Sequence, residues 1–143
     1  TGIREPAAMV SLHILDSLTA RPFLKGEQIV DVGCGAGLPG IPLALVDGLA
    51  EPARHFTLVD GTLKKIRFVQ QAIADLGLAN AEALHARIED HKPVPLYDTA
   101  ICHPLFSRRL PAISMVLNVC LPSAGMILVE ELARPDSGAA YSQ

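Results

Sequence analysis

Apolar residues fall into two rhythms along the chain. Short runs rich in aliphatic and β-branched residues read as strands: the run ending Ile29-Val30-Asp31-Val32, then His55 to Asp60, Ala81 to Ala86, Tyr97 to Cys102 and Gly125 to Glu131. Between them the spacing changes to three and four. Met9, Val10, Ile14, Leu15 and Leu18 predict a helix over Glu5 to Leu18, with Pro6 in its first turn. Leu63, Ile66, Val69, Ile73 and Leu76 form one stripe over Thr62 to Leu76, and Gly77 follows as a stop signal. Shorter helices are expected from about Pro39 to Val46 and, despite Pro111, from Arg109 to Leu121. Strands alternating with helices predict βαβ units and an α/β fold, with a parallel sheet carrying helices on both faces. The sheet is expected to be truncated after strand five, with that edge uncovered.

Composition narrows the picture. The 143 residues, half of them apolar, suffice for one core. We therefore expect a single domain over 1–143, with a helix and lead-in at 1–26, a core at 27–131 and a frayed small-residue tail at 132–143. The net charge of −3 argues against a protein that grips nucleic acid over its whole surface, and leaves room for a local basic face. Three cysteines without metal spacing point to a reduced, cytoplasmic setting. No run is long enough to span a membrane, and no metal site, DNA partner or membrane partner is indicated. A monomer is the simple expectation.

The glycines at 33, 35 and 37 follow the first strand directly and let the backbone turn with positive φ, leaving no Cβ between main chain and ligand. The helix behind them is expected to present free N–H groups, with Pro39 in its first turn. Gly35-Ala36-Gly37-Leu38-Pro39-Gly40 also satisfies the dinucleotide pattern G-x-G-x-x-G, which alone is weak evidence. Asp31, two residues before the first glycine, separates the two cofactor readings. A pyrophosphate gains nothing from an acid there, whereas S-adenosylmethionine has no phosphate and carries an ammonium and a sulfonium. That cofactor is the one expected.

Ligands of such sheets lie outside the carboxyl ends of the strands. The residues to collect are therefore Gly33 to Leu38, Asp60, Ile88 with Glu89, and His103. Asp60 is placed to accept both ribose hydroxyls, which fits adenosine of either cofactor. Ile88 is expected against the adenine face, with Glu89 near its edge. Cys34 reads as a small turn residue rather than a nucleophile. Lys64, Lys65, Arg67, Arg108 and Arg109 are either solvated faces or contacts to RNA, and Asp16 either caps a helix or reaches a site.

His13-Ile14-Leu15-Asp16-Ser17-Leu18, the whole turn from Asp31 through Leu38-Pro39-Gly40-Ile41-Pro42-Leu43, Phe56 to Asp60, and Lys64-Lys65-Ile66-Arg67-Phe68 together resemble the glucose-inhibited division protein B family. The resemblance runs from about Ile3 to Val129. It implies a Rossmann-like class I methyltransferase fold, S-adenosylmethionine as cofactor, and methyl transfer to guanine N7 of small-subunit ribosomal RNA or its assembling particle. It also implies that Gly33, Leu38, Ile88, Glu89 and the residue at 103 line the cofactor site. No catalytic acid or base is expected, because N7 already presents a lone pair. The chain departs from the family at Leu12, at Cys102-His103-Pro104 and at Glu131, each where a cation is usual. A methyltransferase for another substrate and a non-catalytic adenosyl-binding remnant therefore stay open. The family's usual helices before Thr1 and closing strands after strand five are expected to be missing.

Overall fold

The computed structural model describes residues 13–102, and the course of the backbone through 120–128 and 140–142. Residues 13–18 are helical (α1), within the span expected from Glu5 to Leu18. A 3-10 turn at Arg21–Phe23 leads to β1, Gln28–Val32. Then follow α2 (Gly40–Asp47), β2 (His55–Asp60), α3 (Leu63–Leu76), β3 (Ala81–His85), a 3-10 turn at Ile88–Asp90 and β4 (Tyr97–Cys102). The last two strands are β5 (Cys120–Leu128) and β6 (Ala140–Ser142). The strand order is β3-β2-β1-β4-β5-β6. The first five strands run parallel, and β6 is antiparallel to β5. Among the described residues no helix is long and apolar enough to cross a membrane.

Alternation along β1 sends Ile29 and Val30 to different cores. Ile29 packs with Leu43, Ala44, Phe56, Leu58, Ile66 and Val69, the layer beneath α2 and α3. Val30 and Val32 join Val59, Ile88, Tyr97 and Ala100 on the opposite face. β2 is buried from Phe56 to Asp60 because it lies between β1 and β3 with side chains packed on both faces. α3 ends as its stop signal predicts. Gly77 is left-handed (φ 63°), and the amides of Gly77 and Leu78 donate to Ala74 and Ile73 carbonyls.

Two expectations at the carboxyl-terminal end need correction. Cys120 and Leu121, expected to end a helix, open β5 instead. Tyr97 pairs with Cys120 and Thr99 with Gly125, so the extra residues around Pro122 bulge out between two paired stretches. Proline has no amide for the ladder, which is why the local pattern reads as a break; pairing with β4 overrides it. The sheet also does not end at strand five, nor is the tail featureless throughout. Gly125, Met126 and Ile127 pair with Ser142, Tyr141 and Ala140, so β6 covers that edge. The segment 103–119, with the rest of the expected helix from Arg109, lies outside the described residues.

α2 meets the sheet at Gly40. A Cβ there would stand 2.7 Å from Asp31 Oδ2 and 2.7 Å from Leu58 Cδ2, inside contact distance of both. Gly40→Ala should therefore lift the start of α2 off β1 and cost about 1–3 kcal/mol in urea denaturation. Gly35 is left-handed but faces open space, so Gly35→Ala should carry only the backbone cost, about 1–2 kcal/mol. A Gly40→Ala variant as stable as the parent would contradict this packing.

Candidate functional site

The glycine turn runs from the end of β1 to the start of α2, with positive φ at Gly33 (69°), Gly35 (54°) and Gly37 (97°). Most of its backbone N–H groups are used internally. The amides of Gly33 and Cys34 donate to Val59 O, that of Gly37 to Cys34 O (2.8 Å), and that of Ile41 to Gly37 O (2.7 Å). Gly40 N–H donates to Asp31 Oδ2 at 3.0 Å. Pro39 and Pro42 have no N–H to offer. The expected free donors at the start of α2 are thus absent: a carboxyl group of the chain already fills the place an anion takes at other helix ends.

This relocates Asp31. The sequence suggested a carboxylate facing a bound cation. Asp31 is instead 2% exposed, turned under the turn toward α2, and not part of the cleft wall. Side chains alternate along β1, so Asp31 points into the layer beneath α2 while Val32 points to the other face. Burial, offset in part by the Gly40 amide and reinforced by the charge of Asp60, pushes its pKa up to about 8. Burial, followed by the charges of Asp31 and Asp60, drives the Cys34 thiol well above its ordinary range. Cys34 is therefore an inert core thiol, as its setting in the turn suggested.

Asp60, at the end of β2, is held from two sides. Its Oδ2 accepts Gly35 N–H (3.0 Å) and its Oδ1 accepts Thr62 N–H (2.8 Å). Each carboxylate oxygen keeps a second lone pair. A cleft of about 190 Å³ opens beside it, walled by Val32, Gly33, Val59, Asp60, Gly61, Ala86, Arg87, Ile88 and Glu89. Four residues expected from the sequence thus converge: Gly33, Asp60, Ile88 and Glu89. Gly35 serves by binding Asp60. Gly37 is buried and Leu38 is 40% exposed, and neither lines the cleft. His103, Leu12, Glu131, Arg108 and Arg109 lie outside the described residues. Sequence reasoning passed over Val32, Val59, Gly61, Ala86 and Arg87. Each neighbours a residue that ends a strand or follows one, which was the available signal.

The arrangement fits an adenosyl group. The paired oxygens of Asp60 can accept two vicinal hydroxyls, and Ile88, 4% exposed, offers an apolar surface beside the cleft. The exposed cations Lys64, Lys65 and Arg67 stand on α3, whose first turn begins three residues after Asp60, and Arg87 lies on the cleft wall itself.

The family model described as rRNA small subunit methyltransferase G, or GidB, matches residues 1–129. The chain belongs to that family. It is 41% identical over 127 residues to the Ribosomal RNA small subunit methyltransferase G of Serratia proteamaculans, covering 87% of this chain and 57% of the relative. The protein of that name from Methylococcus capsulatus is 42% identical over 137 residues, covering 96% and 64%. The chain therefore spans about three fifths of the length of these relatives. A SAM-dependent methyltransferase from Thiobacillus denitrificans, solved with S-adenosyl-L-homocysteine, superposes with a TM-score of 0.60 at 16% identity, over 87% of this chain and 48% of that one. At that identity the likeness establishes the Rossmann-like class I methyltransferase fold.

The raised pKa of Asp31 has a consequence for this GidB-family member. Unfolded, its carboxyl ionises near 3.8; folded, it stays protonated up to about pH 8. Between these values the folded state holds the extra proton. Its contribution to stability is therefore full below pH 4, falls as pH rises, and levels off above 8. Urea denaturation at pH 5, 6 and 7 should show Asp31→Asn less pH-dependent than the parent by about 1.4 kcal/mol per pH unit. Identical slopes would mean that Asp31 is ionised in the fold.

Proposed function

We propose that this chain is an S-adenosylmethionine-dependent methyltransferase that modifies guanine N7 in small-subunit ribosomal RNA, in the cytoplasm. The observation that carries the cofactor class is the Asp31–Gly40 contact. It occupies the anion-binding end of α2, where a pyrophosphate would have to sit, while Asp60 keeps acceptors at the cleft for a ribose. A cofactor with adenosine and no phosphate meets both conditions. The substrate class is supported by relatives named Ribosomal RNA small subunit methyltransferase G at 41% and 42% identity.

When bound, the cofactor supplies an electrophilic methyl group on a sulfonium. The chain's own residues hold and orient. Asp60 would accept the ribose hydroxyls, Gly33 would let the main chain approach closely, and Ile88 with Glu89 would border the adenine. Leu38, Gly35 and Gly37 shape the turn around the amino-acid end, and His103 completes the proposed set. Guanine N7 has no proton to remove, so no side chain need act as a base. Alignment of lone pair, methyl and sulfur can supply about 7–11 kcal/mol of the barrier reduction. Lys64, Lys65, Arg67 and Arg87 are the cations placed to meet RNA phosphates near the cleft.

Calorimetric titration with S-adenosylmethionine, S-adenosylhomocysteine and NAD tests the cofactor class: the first two should bind and NAD should not. Asp60→Ala should weaken the adenosyl ligands at least about tenfold, since even one hydrogen bond to a charged group is worth about 1.5–3 kcal/mol. Saturable NAD binding in their place would overturn the reading. Incubation with unmodified small-subunit RNA and nucleoside mass spectrometry should reveal 7-methylguanosine. Cofactor binding without any methylated nucleoside would instead mark an adenosyl-binding remnant, consistent with the missing cations at 12, 103 and 131.

A further inference from the structure

At the pole of the sheet opposite the cleft, Asp47 closes α2 with 1% exposure and serves two arginines. Its Oδ1 accepts Arg54 Nη1 (2.9 Å) and Arg21 Nε (3.3 Å), and its Oδ2 accepts the Arg54 amide (2.8 Å). Arg54 Nε is spent on Gly26 O at 3.2 Å. Two guanidinium charges therefore face one carboxylate, leaving an excess of one positive charge. Arg21 uses one of its five N–H donors, so both terminal nitrogens are without a partner among the described residues, as is Arg54 Nη2. Arg21 and Arg54 line a concavity of about 390 Å³ whose other walls are Leu18 and Pro22. The side chains are 42% and 28% exposed, so they are anchored at one end and reachable at the other.

We propose that Arg21 and Arg54 form a binding site for a phosphate group, supplied by a phosphodiester of a bound RNA or by free phosphate. The three donor-bearing nitrogens of the two side chains suit the several acceptor oxygens of a phosphate, to which arginines hydrogen-bond strongly. Asp47 makes the site by fixing both guanidinium groups, since unanchored arginines lose more side-chain freedom on binding. Strands of five or six residues at about 3.3 Å per residue separate this pole from the cleft by roughly 20 Å, a span of a few nucleotides. The RNA source rests on the proposed function; the affinity for phosphate does not.

The 15N-labelled full chain, titrated with inorganic phosphate against chloride at equal ionic strength, tests the site through arginine Nε–Hε signals and melting temperature. The Arg21 and Arg54 signals should shift saturably and the melting temperature should rise. Arg21→Gln should bind phosphate at least tenfold more weakly, and Arg21→Lys should fall between, because the fork is lost and the charge kept. Affinity for S-adenosylmethionine, measured on the same samples, should not change in either variant. If Arg21→Gln melts lower yet responds to phosphate as the parent does, the pair only clamps Asp47 and the proposal fails. Equal responses to phosphate and chloride also overturn it. Salt dependence of binding to a single-stranded fragment of small-subunit RNA separates the sources. A slope lower by about 0.7 in Arg21→Gln assigns the site to the RNA backbone, and an unchanged slope, where the parent binds phosphate and Arg21→Gln binds it more weakly, assigns it to free phosphate. RNA affinity is read without methyl transfer, so a failed methylation assay leaves this result standing.

Discussion

The carboxyl group of Asp31 against the Gly40 amide is the contact on which the rest of the site depends. It ties the end of β1 to the start of α2 across the glycine turn, between residues nine positions apart. Gly40 has to be glycine because α2 comes down on Asp31 and Leu58 with no room for a Cβ. The prolines on either side of Gly40 remove two of the donors a helix start would otherwise expose. The turn therefore closes on itself, and what it offers a ligand is shape, together with the Ala36 and Leu38 amides that have no partner among the described residues.

That closure divides two acids that look alike in sequence. Asp31 and Asp60 both lie near the ends of parallel strands, yet one is sealed beneath α2 and the other stands at the edge of the cleft. The difference is one of position along the strand, since both point to the same face. Asp31 pairs across the sheet with Leu58, in the layer packed on α2 and α3, while Asp60 ends β2 opposite His85, where the chain turns and the layer stops. Two backbone amides fix Asp60 without exhausting its lone pairs. A buried acid that holds the scaffold and a half-satisfied acid that lines the cleft are complementary.

The two poles of the sheet arrange their charges differently. The carboxyl pole has Asp60, Glu89 and Arg87 together on the cleft wall, with the α3 cations beside it. The amino pole has the Arg21 and Arg54 pair, anchored by a single buried carboxylate. Family membership is established by residues 1–129, and the proposed chemistry draws on the carboxyl pole alone.

Much of this was legible in the residues themselves. The order of strands and helices, the positive φ of Gly33, Gly35 and Gly37, the Gly77 stop and the convergence of Gly33, Asp60, Ile88 and Glu89 all follow from local patterns. These are short-range properties: side-chain periodicity, turn chemistry, and the rule that parallel strands bind ligands at their carboxyl ends. Tertiary structure alone decided that Asp31 faces inward, that Pro122 sits within a strand, that β6 covers the edge of β5, and that Arg21, Asp47 and Arg54 meet. Each depends on which segment lies alongside, through pairing or packing between residues far apart in the chain, and a linear pattern carries no record of its neighbour across the sheet.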